Sequence, residues 1–218
     1  MNDNTLRRTT ATIGALALAL GLAACGSEDD GHDGHGGDPR AVQTARNGDE
    51  FNQADVDFAT AMIPHHAQAV QMANLAADRP LPADLRTLVD GVHTAQVAEV
   101  ETMVTWLTDW GQEIPETSMD HVNAGHDMSG TASGDAMDHD GMPGMMSAAE
   151  MAELEQASDA DFPELWMTMM VEHHEGAIEM AEDEQDDGHF PGAVELAAAI
   201  IDAQRAEIAT MEDLLDKA

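Results

Sequence analysis

Phe58-Ala-Thr-Ala-Met-Ile-Pro-His-His-Ala-Gln-Ala-Val-Gln-Met-Ala73 and Trp166-Met-Thr-Met-Met-Val-Glu-His-His-Glu-Gly-Ala-Ile-Glu-Met-Ala181 are two copies of one pattern, 108 residues apart. Thr60, Met62, His65, His66, Ala69, Met72 and Ala73 recur as Thr168, Met170, His173, His174, Ala177, Met180 and Ala181. The segment that follows keeps the same offset without a gap. Leu88, Gln96, Glu99, Met103 and Leu107 recur as Leu196, Gln204, Glu207, Met211 and Leu215. Chance similarity does not hold one offset through two segments and the loop between them, so the chain carries an internal duplication.

Each copy reads as two helices joined by a short loop. Asn52 with Asp55 offers an N-cap and a first-turn acid for a helix running to about Ala77. Arg79-Pro80-Leu81-Pro82 breaks it, and a second helix is predicted from about Ala83 to Trp110, stopped by Gly111. In the second copy Ser147 with Glu150 is a capping-box pattern opening a short helix. Asp161 and Pro163 restart the chain as a helix ending near Asp187-Gly188, and a last helix runs from about Pro191 to Leu215. Two such hairpins, residues 51–111 and 147–218, bury their apolar faces by packing together. The expected fold is all-α, a four-helix bundle with pseudo-two-fold symmetry. Pro64 interrupts the first copy where the second has Glu172, and it should kink its helix and free the Thr60 carbonyl.

Composition narrows the function. Eight Lys and Arg stand against 43 Asp and Glu, a formal net charge of −35. That surface repels phosphate backbones, which argues against any nucleic-acid partner, and it suits cations. Aromatic residues are 3% of the chain, too few for a base-stacking platform. A single cysteine rules out an intrachain disulfide and a thiolate zinc cluster. With 16 Met and 11 His, a metal site must use imidazole, thioether and carboxylate.

The N-terminus reads as an export signal, residues 1–24. Arg7 and Arg8 precede an uncharged apolar run from Ala11 to Leu22, too short for a comfortable membrane span, and Leu22-Ala-Ala-Cys25 follows. That ending resembles a bacterial lipobox. It implies cleavage before Cys25, lipidation of Cys25, and a membrane anchor on the outer face of the cell membrane or the periplasmic face. A plain cleaved signal with an incidental Cys25 is the competing reading, and Sec and twin-arginine export both stay open. Residues 25–50 are acidic and rich in Gly, with His32 and His35, and read as a disordered tether.

The repeated polar residues carry the chemistry. On a helix Met62 and His66 share a face, as do Met170 and His174; His65 and Met72 share the adjoining stripe, as do His173 and Met180. Gln96, Glu99 and Met103 line one face of the second helix, and Gln204, Glu207 and Met211 repeat the arrangement. A single Met on an apolar stripe reads as core filler, and a single buried His as a satisfied hydrogen-bonder. Adjacent His pairs duplicated at matching positions are a different matter, because two neighbouring imidazoles are not buried cheaply without partners. They point to metal. Glu99 and Glu207 read as hydrogen-bond orienters or surface acids ahead of ligands.

The inter-hairpin segment, residues 112–146, repeats the same donors in a flexible setting. Six of the 16 Met and three of the 11 His fall between 119 and 146: Met119, His121, His126, Met128, Met137, His139, Met142, Met145 and Met146. Gly, Ser and Asp surround them, so they read as exposed, and exposed thioethers have no packing role. Secondary metal capture is the expected use, with an acidic low-complexity linker as the alternative. Thioether favours Cu(I) and imidazole serves both copper states, so copper comes before zinc or iron, and silver would mimic Cu(I).

Met62-Ile-Pro-His-His66 with Ala69 and Met72-Ala73, and Trp166-Met-x-x-Met-Val-x-His-His174 with Gly176-Ala177 and Met180-Ala181, resemble the domain-of-unknown-function-305 family, whose studied members are CopM-like periplasmic copper-binding proteins. The resemblance covers about residues 50–218. It implies a ferritin-like bundle, copper binding and a role in copper resistance. The metal residues it implies are Met62, His65, His66, Met72, Met103, Met170, His173, His174, Met180 and Met211.

Three functions compete. The first is a non-catalytic, lipid-anchored copper protein that stores copper or exchanges it with a donor or acceptor protein. The second is a ferritin-like di-metal redox enzyme, which wants Glu-x-x-His pairs on inward faces, and no Glu here has His three residues on. The third is a structural or pH-responsive helical module acting through its His pairs. No oligomeric state follows from the sequence.

Overall fold

Asn52 closes the first turn of a helix from both sides. Its side chain accepts from the Asp55 amide at 3.1 Å, and its own amide donates to the Asp55 carboxylate at 2.6 Å, the reciprocal capping box. The computed structural model describes residues 40–117 and 142–217. The stretch read as a signal sequence, Cys25, most of the stretch read as a tether, and Met119, His121, His126, Met128, Met137 and His139 lie outside the described residues.

The order is a two-residue ladder, β1 (Gln43–Thr44) antiparallel to β2 (Glu50–Phe51), then α1 (Gln53–Ala76) and α2 (Ala83–Trp110). After the second segment begins come α3 (Ala148–Gln156), α4 (Phe162–Asp187) and α5 (Pro191–Leu215). The helices follow their punctuation. Gly111, at φ 70°, ends α2 in the left-handed conformation that glycine adopts without strain. Ser147 and Glu150 form the expected capping box of α3, and Pro163 and Pro191 sit in the first turns of α4 and α5, where a missing N–H is harmless. α1 continues through Pro64 for three further turns.

Two expectations need correction at their edges. The C-terminal end of the stretch read as a disordered tether holds β1 and reaches β2, and Arg40 pairs with Asp187. The stretch read as flexible up to 146 is already packed over its last residues. Met142 and Met145 are half-buried, and Met146 is 5% exposed within the core.

α1 packs on α2 and α4 on α5 to make the two hairpins, which meet chiefly along α1 and α4. These two run in opposite directions. The Trp166 indole N–H, near the start of α4, donates to the Met72 carbonyl near the end of α1 at 3.0 Å. At the other end, Asp55 in the first turn of α1 accepts from the His189 and Phe190 amides, beyond α4, at 2.9 and 2.8 Å. Two apolar clusters result. One gathers Phe58, Met62, Met103 and Trp110, with Met180 and Phe190 against it; the other gathers Met72, Met170, Met211, Phe162 and Trp166.

Each end has a polar fastening. Arg79, in the α1–α2 loop, donates to the carbonyls of Ala157 and Glu155 and lies 4.5 Å over the Phe162 ring. At the opposite end, fully buried Asp55 receives three backbone N–H bonds, counting that from Asn52. Beside it lies Glu184, 2% exposed. Burial first, then the negative charges of Asp55 and Asp187, push the Glu184 carboxyl from 4.5 up to about 9.

Glu184 is therefore neutral at pH 7. Below its ordinary value it is protonated whether the chain is folded or not, and its contribution to stability is complete. As pH rises the unfolded chain ionises first, and that contribution drains away until the folded pKa is reached. In the metal-free protein, Glu184→Gln is expected to flatten the fall in melting temperature between roughly pH 5 and pH 9. An unchanged slope would show that Glu184 does not cause it. Asp55→Ala, which strands three amide donors, should cost at least about 3 kcal/mol in a denaturant melt.

Candidate metal centre

Because α1 and α4 are related by the duplication and run antiparallel, a residue near their crossing meets its own repeat partner. His65 and His173 are that pair. Their ring centroids lie 3.8 Å apart with the planes tilted by 39°, and both side chains are completely buried. His66 and His174 stand beside them, each 6.4 Å from its neighbour in sequence, ring to ring.

Hydrogen bonds orient three of the four rings through the same nitrogen. His66 donates from Nε2 to Glu99 at 2.8 Å, and His174 donates from Nε2 to Glu207 at 2.7 Å. His65 donates from Nε2 to the Pro143 carbonyl at 3.1 Å. An imidazole holding its proton on Nε2 keeps its lone pair on Nδ1. The Nδ1 atoms of all four histidines are buried and without a hydrogen-bond partner. Glu99 and Glu207 are thus the orienting acids of the duplicated pattern, on α2 and α5, about one-fifth exposed at the protein surface.

Electrostatics keep the central pair uncharged. Burial, with the adjacent His66, lowers His65 from 6.5 to about 3. Burial followed by the charges of His65 and His174 holds His173 well below its ordinary value. Neutral imidazole is the form that ligates metal. One turn before Glu99 and Glu207, Gln96 and Gln204 are each 2% exposed, with the Gln96 amide and the Gln204 carbonyl oxygen unpartnered. An orphaned buried polar group forfeits about 1–3 kcal/mol, more than the roughly 1 kcal/mol of a good helix cap. Such an interior is a liability in the metal-free chain and a ready donor set for an ion.

The thioethers distribute unevenly. Met62 and Met170 lie one turn or less from the histidines on their own helices and are wholly buried, as are Met103 and Met211, one turn from Glu99 and Glu207. Met72 and Met180 lie two turns from the pair, about 10 Å along their helices, towards opposite ends of the interface. Met72 is buried under Trp166; Met180 is half-buried and lines a groove of about 400 Å³ with Phe58 and Glu184. Among the described residues no three His, Cys, Asp or Glu side chains converge to hold an ion. A centre with more than two ligands here would add thioether or amide oxygen to imidazole, and thioether with imidazole is the donor set of a soft monovalent cation.

Residues the repeat did not reveal also shape the centre. Gln68 donates from its side-chain amide to the Met146 carbonyl at 2.8 Å and accepts from the Met146 amide at 2.7 Å. Gly144 and Gly176 touch where side chains do not fit. The signal was faint: Gly176 is the repeat partner of Gln68, one of several mismatches in the aligned block.

Residues 55–215 match the family described as Domain of unknown function (DUF305). Among solved structures, a DUF305 protein from Streptomyces coelicolor is 28% identical with a TM-score of 0.62, the match covering 75% of this chain and 93% of that one. A DUF305 fragment from Deinococcus radiodurans is 28% identical with a TM-score of 0.62, covering 81% and 100%. CopM in its Cu(II)-bound form is 26% identical with a TM-score of 0.57, covering 75% and 96%, and CopM has also been solved with Cu(I) and with Ag. No curated protein matches the chain.

The neutral central pair sets a pH dependence. A depressed histidine contributes its full stability above 6.5 and loses it as pH falls towards the folded value. Metal-free protein should therefore lose about 1.4 kcal/mol per pH unit for each such histidine on acidification below 6.5. The double replacement His65→Leu with His173→Leu should remove most of that loss and leave the protein at least as stable at pH 7. Equal acid sensitivity in wild type and variant would assign it elsewhere.

Proposed function

The chain belongs to the domain-of-unknown-function-305 family, and from that premise and the geometry above we propose that it is a non-catalytic copper-binding protein of the extracytoplasmic space. Its work is to sequester copper or to exchange it with a donor or acceptor protein in copper homeostasis. The observation that carries the reading is the buried contact of His65 with His173: two neutral imidazoles, both Nδ1 atoms without a hydrogen-bond partner, between helices that supply Met62 and Met170. The copper-bound forms of CopM, at 26% identity in the Cu(II) case, support the choice of metal.

Imidazole and thioether together accept Cu(I) without a thiolate, and silver shares that preference. Hydrogen-bonded second partners on three of the rings are what a ligand histidine needs to hold its orientation. The signal sequence and the lipobox-like ending at Cys25 support export and anchoring to the membrane by lipid. The Met and His residues between 119 and 139 serve as a lower-affinity collecting segment.

Titration of the metal-free protein with Cu(I) or Ag(I) against a competing chelator should reveal at least one tight site. His65→Ala with His173→Ala should weaken that site by two orders of magnitude or more, about 2.7 kcal/mol. Ligand at a hundred times its dissociation constant should stabilise the wild type by about 2.7 kcal/mol in a melt. Unchanged affinity in the double variant would remove the bundle interior from the function. Deleting 119–141 should lower the number of ions bound and leave the melting of the helices unchanged.

A further inference from the structure

Residues 142–146 cross the interface directly over the imidazole pair, fastened to both hairpins. On the α4 side, Gly144 at φ 70° sits so close that a Cβ there would lie 2.6 Å from the Glu172 carbonyl oxygen, 2.9 Å from that of His173 and 3.0 Å from the Gly176 Cα. A Cβ on Gly176 would in turn strike the Pro143 carbonyl. On the α1 side, Pro143 accepts the His65 Nε2–H bond, and Met146 exchanges two hydrogen bonds with Gln68. Met146 itself is buried in the cluster that holds Met170 and Met211.

Both fastenings use one position of the repeat. Gln68 and Gly176 are equivalent residues, and each has the side chain its side of the crossing requires: an amide that pairs with backbone, and no side chain at all. The crossing segment also breaks the symmetry of the site. His65 has a carbonyl on Nε2, whereas neither nitrogen of His173 has a hydrogen-bond partner of sound geometry.

We propose that residues 142–146 are a latch for the metal centre: by docking on Gly176 and Gln68 they place the Pro143 carbonyl on His65 Nε2, select the tautomer that keeps the Nδ1 lone pair available as a ligand, and shut the pair off from water. Gly176 and Gln68 are the positioning residues. The latch rests on the reading that the ion is held at the His65–His173 pair, and docking and metal binding strengthen each other through the shared His65 ring.

The test uses the full mature chain, Ag(I) as probe, and Gly176→Ala and Gln68→Leu as variants. Alanine is a better helix former than glycine, so Gly176→Ala disturbs the latch rather than α4; if it nevertheless fails to fold, Gln68→Leu loosens the latch from the other side. Long-range nitrogen NMR of metal-free wild type should find His65 protonated on Nε2, and the variants should show a mixture of tautomers. Each variant should bind Ag(I) about tenfold more weakly than wild type, within the range that second partners of ligand histidines command. In wild type, Ag(I) should slow hydrogen exchange at the Met146 amide. His65 protonated on Nδ1 in metal-free wild type, or undiminished Ag(I) affinity in both variants, would overturn the latch. A wild type that binds no Ag(I) at all would instead overturn the copper reading, and the tautomer measurement would still decide whether the latch sets the ring.

Discussion

The contact of His65 on His173, dry and uncharged, is the constraint around which the two hairpins are arranged. A duplicated chain that folds back on itself with two-fold symmetry brings equivalent residues together at the axis, as an isologous dimer does. One histidine per copy thereby becomes a pair. The same geometry carries Glu99 and Glu207 to His66 and His174 at nearly equal distances, 2.8 and 2.7 Å. Packing alone would be served better by leucine at these positions. Keeping four imidazoles inside costs stability, and the return for that cost is a set of oriented lone pairs beside sulfur.

The fastenings at the two ends keep the pair in register. Asp55 draws in the α4–α5 loop with buried backbone hydrogen bonds, and Arg79 draws the α3–α4 loop against the α1–α2 loop. Between them α1 and α4 have little freedom to slide, so the crossing point stays where the histidines are. Glu184 adds a neutral acid next to Asp55, and its stabilising effect weakens with rising pH while that of the histidines weakens with falling pH. The two effects together favour the metal-free fold most in the mildly acidic to neutral range.

Much of this was legible in the sequence, for local reasons. α2 begins at Ala83 and ends at Trp110 because Pro82 precedes it and Gly111 follows, and α5 spans Pro191–Leu215 on similar punctuation. The histidine pairs stood out because the repeat doubled them, and the same doubling tied Glu99 and Glu207 to them. What the sequence concealed depends on contacts between distant segments. Asp55 reads as a first-turn acid, and nothing local says that its other oxygen holds residues 189 and 190. Two-residue strands such as β1 and β2 are too short to show an alternating pattern. Met146, surrounded by Gly, Pro and Ser, reads as exposed, and contacts across the interface, the Gln68 side chain among them, bring it in. Met72 and Met180 sit on the histidine stripe, yet two turns of helix carry them away from the pair.

The most direct test of the central contact is the anomalous difference map of a crystal grown with Ag(I) bound to the protein. The expected result is a dominant peak in the interior beside the rings of His65 and His173, with thioether sulfur completing its surroundings. A dominant peak held by surface carboxylates, with the two rings still stacked on each other and no ion beside them, would contradict the proposed centre.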